Sequence, residues 1–301
     1  MTWLRSALLT VPTLVGGCFT ADLDPTLAGV FACDVDDDCP SAMACINEVC
    51  ESGDPPTVAI NFPEDEQRFE ITDFDVGAQR EIEMTLAGTL DVTEPGGEHV
   101  FGEGHIEITV DGRVAGQVTS GALSGVLPFP VTIENTLGAH RIAARAIRND
   151  GTPYDHAGGT ATRLFWVKDG ATPLVGIKQP WPGTEFDLSK AKTGVEAAVL
   201  NFTLAPAVMN GDNASGVGHV HIYYNDNITD CLANPTCDKA YLNTIVEAGM
   251  ISTVQLPDSP EGTFNLNVVL RNIDHSLYLF PEDGGGAPVI DTIPLVRKQD
   301  D

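Results

Sequence analysis

Two copies of one motif decide the fold: positions 102–108 read GEGHIEI, and positions 216–222 read GVGHVHI. In both copies apolar residues alternate with polar ones, and the same alternation places Ile82, Met84 and Leu86 between glutamate and threonine residues. Alternation with a period of two puts one face of a strand on a core and the other face in water. The motif therefore predicts antiparallel β-sheet.

Matching stretches flank the two motifs in the same order, which indicates an internal repeat. Positions 56–60 match positions 173–177, and positions 146–150 match positions 269–274, with Arg148 aligned to Arg271. Further strands are predicted at 57–61, 129–134, 140–148, 160–167 and 174–177. The turn-rich stretch at 169–173 separates the copies, so we expect domains at 56–169 and 170–301.

The predicted fold class is all-β, with two tandem antiparallel β-sandwiches of roughly seven strands each. This architecture resembles the immunoglobulin-like and fibronectin-III-like domains. The cysteines and tryptophan that mark true immunoglobulin domains are absent from the matching places, so the resemblance is one of architecture.

The second copy is longer than the first between its motif and Arg271, and the additional stretch contains Cys231 and Cys237. A disulfide between these cysteines would close the stretch as a loop. Asp238 as a cap and Gly249 as a stop predict a short helix over 238–249. Its apolar stripe would consist of Tyr241, Leu242, Ile245 and Val246.

The N-terminus has the features of an export signal at 1–17. Arg5 precedes an apolar run at 6–15, which is too short to span a hydrocarbon core of about 30 Å. Positions 14–18 read LVGGC, which resembles the lipobox of bacterial envelope lipoproteins. The resemblance implies that Cys18 is acylated and becomes the new N-terminus, and Phe19 after it favours the outer membrane. An ordinary signal peptide with an incidental Cys18 is the alternative.

The segment 18–55 is predicted to be an acidic, cysteine-rich module with its linker. Four cysteines follow the spacing C-x5-C-x5-C-x4-C, at Cys33, Cys39, Cys45 and Cys50. In an exported protein they are expected to form two disulfides, and of the three connectivities we favour Cys33 with Cys45 and Cys39 with Cys50. The close C-x2-4-C pairs of structural zinc sites are missing. The module resembles the small cysteine-rich repeats that precede the main domains of many bacterial surface lipoproteins.

The acidic run Asp34–Asp38 is similar to the start of a calcium loop. The glycine and glutamate that an EF-hand needs at its sixth and twelfth positions are replaced by Cys39 and Cys45. Weak calcium binding and a solvated charge run both remain open for this stretch.

The charge balance excludes one class of partner. The chain has 43 acidic residues against 16 Lys and Arg, a formal net charge of −27. Phosphate backbones repel such a surface, so we expect no nucleic-acid binding.

Candidate chemistry is limited to His219 and His221, whose rings should project from the same face of one strand, with Asp226 downstream. Two imidazoles at this spacing can bind copper or zinc. The first copy has His105 and Glu107 at the same places, so the alternative is that the first histidine supports the entry of the strand in both domains. The strings S-x-x-K and K-T-G overlap at 189–194, whereas penicillin-recognising enzymes hold them on separate elements.

These features predict a non-enzymatic, lipid-anchored protein of the bacterial cell envelope, facing the periplasm or the cell surface at the outer membrane. Its role would be binding or structural, with a protein or a polysaccharide as partner and no cofactor besides the lipid on Cys18. The alternative function is copper or zinc binding by His219 and His221.

Overall fold

The structure is a computed structural model. It describes residues 32–33, 38–39, 43–46, 48–73, 80–98, 100–123, 127–133, 136–208, 211–225, 227–233, 241–258, 261–281 and 286–299. The predicted signal peptide, Cys18 and the aspartates at 34, 36 and 37 lie outside these residues. The chain forms two compact units, Met1–Asp54 and Pro55–Asp301.

The first unit is held together by disulfides. Strands β1 (Met43–Ile46) and β2 (Val49–Ser52) pair antiparallel. Cys33 is bonded to Cys45 and Cys39 to Cys50, which is the favoured pairing. Each disulfide of this kind typically adds about 2–4 kcal/mol to the stability of a small domain that has little apolar area to bury.

The second unit begins with a sandwich whose core is flanked by a three-stranded and a six-stranded sheet. Its strands are β3 (Val58–Phe62), β4 (Gln67–Glu70), β5 (Arg80–Gly88), β6 (Asp91–Val92), β7 (Glu103–Val110), β8 (Arg113–Val118), β9 (Leu127–Ile133), β10 (Gly138–Ile147) and β11 (Thr160–Lys168). The small sheet has the order β3-β5-β9, and the large sheet has the order β4-β11-β10-β7-β6, with β8 also paired to β7. A 3-10 turn, Ile71–Asp73, follows β4.

A second sandwich repeats this plan. Its elements are β12 (Leu174–Gln179), β13 (Glu185–Asp187), β14 (Lys192–Leu200), β15 (Thr203–Leu204), β16 (Val217–Tyr224), α1 (Asn227–Ala233), β17 (Asn243–Ile245), β18 (Ile251–Gln255), β19 (Gly262–Asn272), β20 (Leu279–Phe280), β21 (Ala287–Pro288) and β22 (Ile290–Lys298). The sheets have the orders β12-β14-β18 and β13-β22-β19-β16-β15, with β17 also paired to β16. A hairpin of β20 and β21 stands apart.

Both sandwiches therefore have the immunoglobulin-like arrangement, in which three strands face a larger sheet through Greek-key connections. In each, the large sheet ends in a parallel pair, β4 with β11 and β13 with β22, and its other pairs between long strands are antiparallel. The predicted fold class, all-β with two tandem sandwiches after a disulfide-rich module, is confirmed.

Buried and more exposed residues alternate along β5 and β7, as predicted. Ile82, Met84 and Leu86 are buried between exposed or half-buried neighbours on β5, and Ile106, Ile108 and Val110 are buried on β7. Apolar burial of this kind is worth roughly 25 cal/mol per Å², so a one-residue slip in register would be strongly unfavourable.

The glycine before the histidine in each motif has a steric reason. A Cβ atom on Gly104 would lie 2.1 Å from the carbonyl oxygen of Ile147, and a Cβ on Gly218 would lie 1.8 Å from that of Arg271. The neighbouring strand approaches so closely that only glycine fits. The close approach explains the glycine of each Gly-His pair; the histidines that follow it, His105 and His219, are both buried.

The alignment of Arg148 with Arg271 is wrong by one residue. Ile147 lies opposite His105 in the first sandwich, and Arg271 lies opposite His219 in the second. Because the N–H of Arg148 binds Thr152 O as the N–H of Asn272 binds Ser276 O, Arg148 corresponds to Asn272. The alignment by residue type failed because two arginines happen to stand one position apart in the two copies.

The predicted helix at 238–249 is also wrong. Its described part contains strand β17, in which Ile245 lies opposite Val220 and is buried in the core. Pairing with the free edge of β16 overrides the local helical pattern. The helix of the additional stretch is α1, Asn227–Ala233, just before it.

The two sandwiches are joined by a buried ion pair. The guanidinium of Arg141 on β10 forms a salt bridge with Asp291 on β22, and the side chains are only 4% and 12% exposed. Arg141 Nε and Nη2 also donate to the carbonyl oxygen of Ile177, over 3.1 and 3.0 Å. Asp291 accepts the N–H of Ile177 over 2.7 Å. These bonds connect β12 and β22 of the second sandwich to β10 of the first.

An apolar cluster continues this junction. Leu164 and Trp166 of the first sandwich pack on Leu174, Ala198 and Leu200 of the second. Gly176 permits the contact, since a Cβ there would lie 2.4 Å from the Cβ of Ala139.

Arg141→Met should lower the free energy of unfolding by about 3–5 kcal/mol, because it leaves the Asp291 carboxylate buried without its cation. Denaturant titration of the purified chain measures the change. The matched control is Arg145→Met, an exposed arginine on the same strand, which should change the free energy by less than about 0.5 kcal/mol. Equal losses in both variants would contradict the role of the pair.

A buried titratable group, His140, adjoins the junction and is 5% exposed. Its ring nitrogens face two acceptors, Asp111 Oδ2 at 2.8 Å and the carbonyl oxygen of Thr136 at 2.8 Å. Burial opposes protonation of His140, but the hydrogen bond and charge of Asp111 outweigh it and raise the pKa.

A histidine whose pKa is raised by folding adds stability below its unfolded pKa of about 6.5. We expect this contribution to disappear as the pH rises through the folded pKa of His140. Asp111→Asn removes the charge that raises the pKa of His140 but keeps a hydrogen-bonding side chain. The difference in unfolding free energy between wild type and variant should therefore shrink from pH 6 to pH 9. A difference that is constant over this range would disprove the assignment.

Candidate metal centre

Strand β16 is buried along both faces, whereas among the outward-facing residues of its counterpart β7 only His105 is buried. Val220 and Ile222 point into the core of the second sandwich, while His219, His221 and Tyr223 point to the outer face of the sheet and are each 0% exposed. At the equivalent outer face of β7, Glu107 and Thr109 are only half-buried. The alternation thus places the two histidines on one face as predicted, and a further layer must cover them.

This covering layer comes from two segments. Helix α1 and the segment after β19 pack on Tyr223, with Cys231 and Leu277 as buried residues. Cys231 is disulfide-bonded; its predicted partner Cys237 lies outside the described residues. Tyr241 follows these two cysteines in the chain, and its ring centroid lies 4.2 Å from that of His221.

A third histidine completes a cluster under this layer. His219 Nε2 lies 2.9 Å from His221 Nε2, and His221 Nε2 lies 3.2 Å from His275 Nδ1. The metal-binding atoms of the three histidines all lie within 4.8 Å of one another. Three imidazole nitrogens that converge in this way are a ligand set for copper or zinc.

His275 is fixed by the turn that carries it. Its backbone has a φ of 71°, in the left-handed region that L-residues rarely adopt. Asn272 Nδ2 donates to Ser276 Oγ over 2.9 Å, and the N–H of Ser276 donates to Asp274 Oδ1 over 2.8 Å. Asn213 holds the turn from outside by accepting the N–H of Asp274.

A second set of contacts orients His221. Its Nδ1 lies 3.2 Å from the hydroxyl of Tyr223, which accepts a hydrogen bond from Arg271 Nη2 over 2.9 Å. Arg271 is 0% exposed, and its Nε and Nη1 have no hydrogen-bond partner within the described residues. The cluster therefore lies beside a buried positive charge.

Both buried histidines are neutral at pH 7. Burial and then the charge of His275 lower the pKa of His219 to about 4. Burial and then the charge of His219 lower the pKa of His221 to about 2. Neutral imidazoles have the lone pairs that a metal ion needs.

The sequence pointed to His219 and His221 but not to His275. In the turn after β10 the N–H of Gly151 binds the carbonyl oxygen of Arg148, and in the turn after β19 the N–H of His275 binds that of Asn272. Gly151 is therefore the counterpart of His275. The sequence did contain an indication of His275, because a histidine stands there where the first copy has Gly151. The misalignment by one residue hid it. Asp226, the other predicted neighbour, lies outside the described residues.

In the described part of the chain, no helix has the length and the apolar character needed to cross a membrane.

Strand order and pairing define this chain as a tandem immunoglobulin-like β-sandwich protein. No protein-family model matches it, and no curated protein matches it. Among solved structures, it is similar to the fibronectin(III)-like modules of Clostridium thermocellum CbhA, with 16% identity, coverage of 80% of this chain and 94% of that chain, and a TM-score of 0.25. It is also similar to titin Ig tandem domains, with 9% identity, coverage of 82% and 100%, and a TM-score of 0.21.

Tyr223→Phe should lower the free energy of unfolding by about 1–3 kcal/mol, because the buried Arg271 loses a hydrogen-bond acceptor. Tyr241→Phe is the matched control in the same layer, since no hydrogen bond of its hydroxyl is described. We expect it to stay within about 0.5 kcal/mol of wild type. Urea titration at pH 7 measures both, and a Tyr223→Phe protein as stable as the control would refute the role of the hydroxyl.

Proposed function

We propose that this chain is a non-enzymatic, lipid-anchored protein of the bacterial cell envelope, which holds two immunoglobulin-like sandwiches at the outer membrane. The observation that carries this proposal is the sequence LVGGC at 14–18, behind a basic residue and a short apolar run. A lipid on Cys18 would hold the chain to the membrane.

The disulfides of the first unit support export. Cys33, Cys39, Cys45 and Cys50 are all oxidised, and Cys231 is disulfide-bonded as well. Disulfides persist in oxidising compartments such as the periplasm and the cell surface, and they are rare in the cytosol.

The second sandwich supports a binding role. Among the described residues, the covering layer buries His221 and Tyr223, whereas Glu107 and Thr109 at the same places of β7 are half-buried. Loops held on a rigid sandwich are common binding sites. A protein or a polysaccharide would bind at this layer. A deletion in the additional stretch would remove the buried Cys231, so point substitutions at exposed positions such as Thr229 are the suitable probes.

The anchor is tested by metabolic labelling with an alkyne fatty acid in a bacterial host that processes lipoproteins. We expect the wild-type chain to incorporate the label and to fractionate with membranes, and Cys18→Ala to lose both properties. The control is the double variant Cys231→Ala/Cys237→Ala, which keeps Cys18 and should still be labelled. A Cys18→Ala chain that is labelled as strongly as wild type would refute the anchor.

A further inference from the structure

We infer that the second sandwich binds one copper or zinc ion through His219 Nε2, His221 Nε2 and His275 Nδ1. The inference adds a third ligand, from a distant turn, to the two histidines of β16. It is independent of the lipid anchor, because the three residues belong to a unit that folds around its own core.

The distances suit an ion of this size. Zinc lies about 2.0–2.1 Å from imidazole nitrogens, so two nitrogens of a tetrahedral site are separated by roughly 3.3 Å. The separations in the structure are 2.9 Å between His219 Nε2 and His221 Nε2 and 3.2 Å between His221 Nε2 and His275 Nδ1. These two separations are within a few tenths of an ångström of that value. All three ligand atoms lie within 4.8 Å of one another, so a rotation of the His275 ring toward His219 would close the site around the ion.

The ligands are held in place before any ion arrives. His219 and His221 lie on a strand that is paired on both sides, with β19 and with β17. The hydroxyl of Tyr223, 3.2 Å away, can accept Nδ1–H of His221, which leaves Nε2 of that ring free to bind metal. Such outer contacts fix the tautomer and the direction of a metal-binding histidine.

Comparison of the two copies separates this cluster from a structural feature of the fold. The positions of His219, His221 and His275 are occupied in the first sandwich by His105, Glu107 and Gly151. That sandwich folds with the same strand order without the trio. Gly151 has a φ of 88°, which suits glycine, whereas His275 adopts a φ of 71° against its preference. The fold alone gives no reason to place a histidine there.

The surroundings select the kind of ion. Three imidazole nitrogen donors suit copper and zinc, whereas calcium and magnesium prefer oxygen. Arg271 brings a buried positive charge close to the site, and two of its nitrogens have no hydrogen-bond partner within the described residues. A small anion such as hydroxide or chloride as fourth ligand would offset that charge. His275 is partly exposed and provides the side from which the ion can enter.

The test is calorimetric titration of the detergent-solubilised full chain, stripped of metal with a chelator, with Zn²⁺ and with Cu²⁺. We expect one equivalent of ion per chain with either or both metals, and an excess of Ca²⁺ should not reduce this binding. His275→Gly should weaken the binding by more than about 100-fold, since loss of a ligand exceeds the 10–100-fold effect of outer contacts. This variant takes over the residue that the first copy has at the same turn, so it should keep its fold and its thermal stability without metal.

The matched control is His105→Gln, which changes the equivalent histidine of the first sandwich and should leave the affinity unchanged. For Cu²⁺, electron paramagnetic resonance should show coupling to several nitrogen nuclei in wild type and to fewer in His275→Gly. Absence of binding by both ions, or equal binding by wild type and His275→Gly, would overturn the inference. Labelling of Cys18 reports on the anchor separately, so failure of either proposal leaves the other standing.

Discussion

The outer face of strand β16 is the constraint on which the second sandwich depends. An antiparallel sheet normally leaves one face in water, yet His219, His221 and Tyr223 are fully buried there. Burial of polar rings is unfavourable unless they find partners, so the covering layer has to supply both apolar contact and hydrogen bonds. The additional stretch with α1 and the disulfide of Cys231 meet this requirement, and the turn of His275, which both sandwiches share, closes the remaining side. The result is a largely buried cluster of imidazoles on an otherwise ordinary scaffold.

The junction between the sandwiches is the second determining interaction. One arginine of the first domain binds both a side chain and a backbone carbonyl of the second, so neither domain can rotate without leaving charges unpaired. Lys178 adds ion pairs with Asp65 and Glu66 at a more exposed place. Exposed pairs contribute little, so the pair of Arg141 with Asp291 and the apolar cluster around Trp166 are the main contacts between the domains.

Much of this structure follows from sequence patterns that act over short distances. Alternation places Ile82, Met84 and Leu86 inside, and it places His219 and His221 on one face. Cysteine spacing indicated the two disulfides of the first unit. The features that were missed depend on long-range contacts: Ile245 is a strand residue because β16 offers an edge, and Arg141 is paired with a residue of the other domain. His275 joins the cluster through a turn whose register is set by hydrogen bonds, and residue types alone gave an alignment shifted by one.

The duplication within this chain has an evolutionary consequence. Only two side chains distinguish the histidine trio from the corresponding positions of the first domain, and the backbone of the turn has the same left-handed shape in both. The ligand set of the second copy therefore combines differences at two positions with the additional covering layer, on a strand order that both copies share. Tandem domains of this kind allow such a difference because a fold that is present twice can change at one place and still hold its neighbour in position.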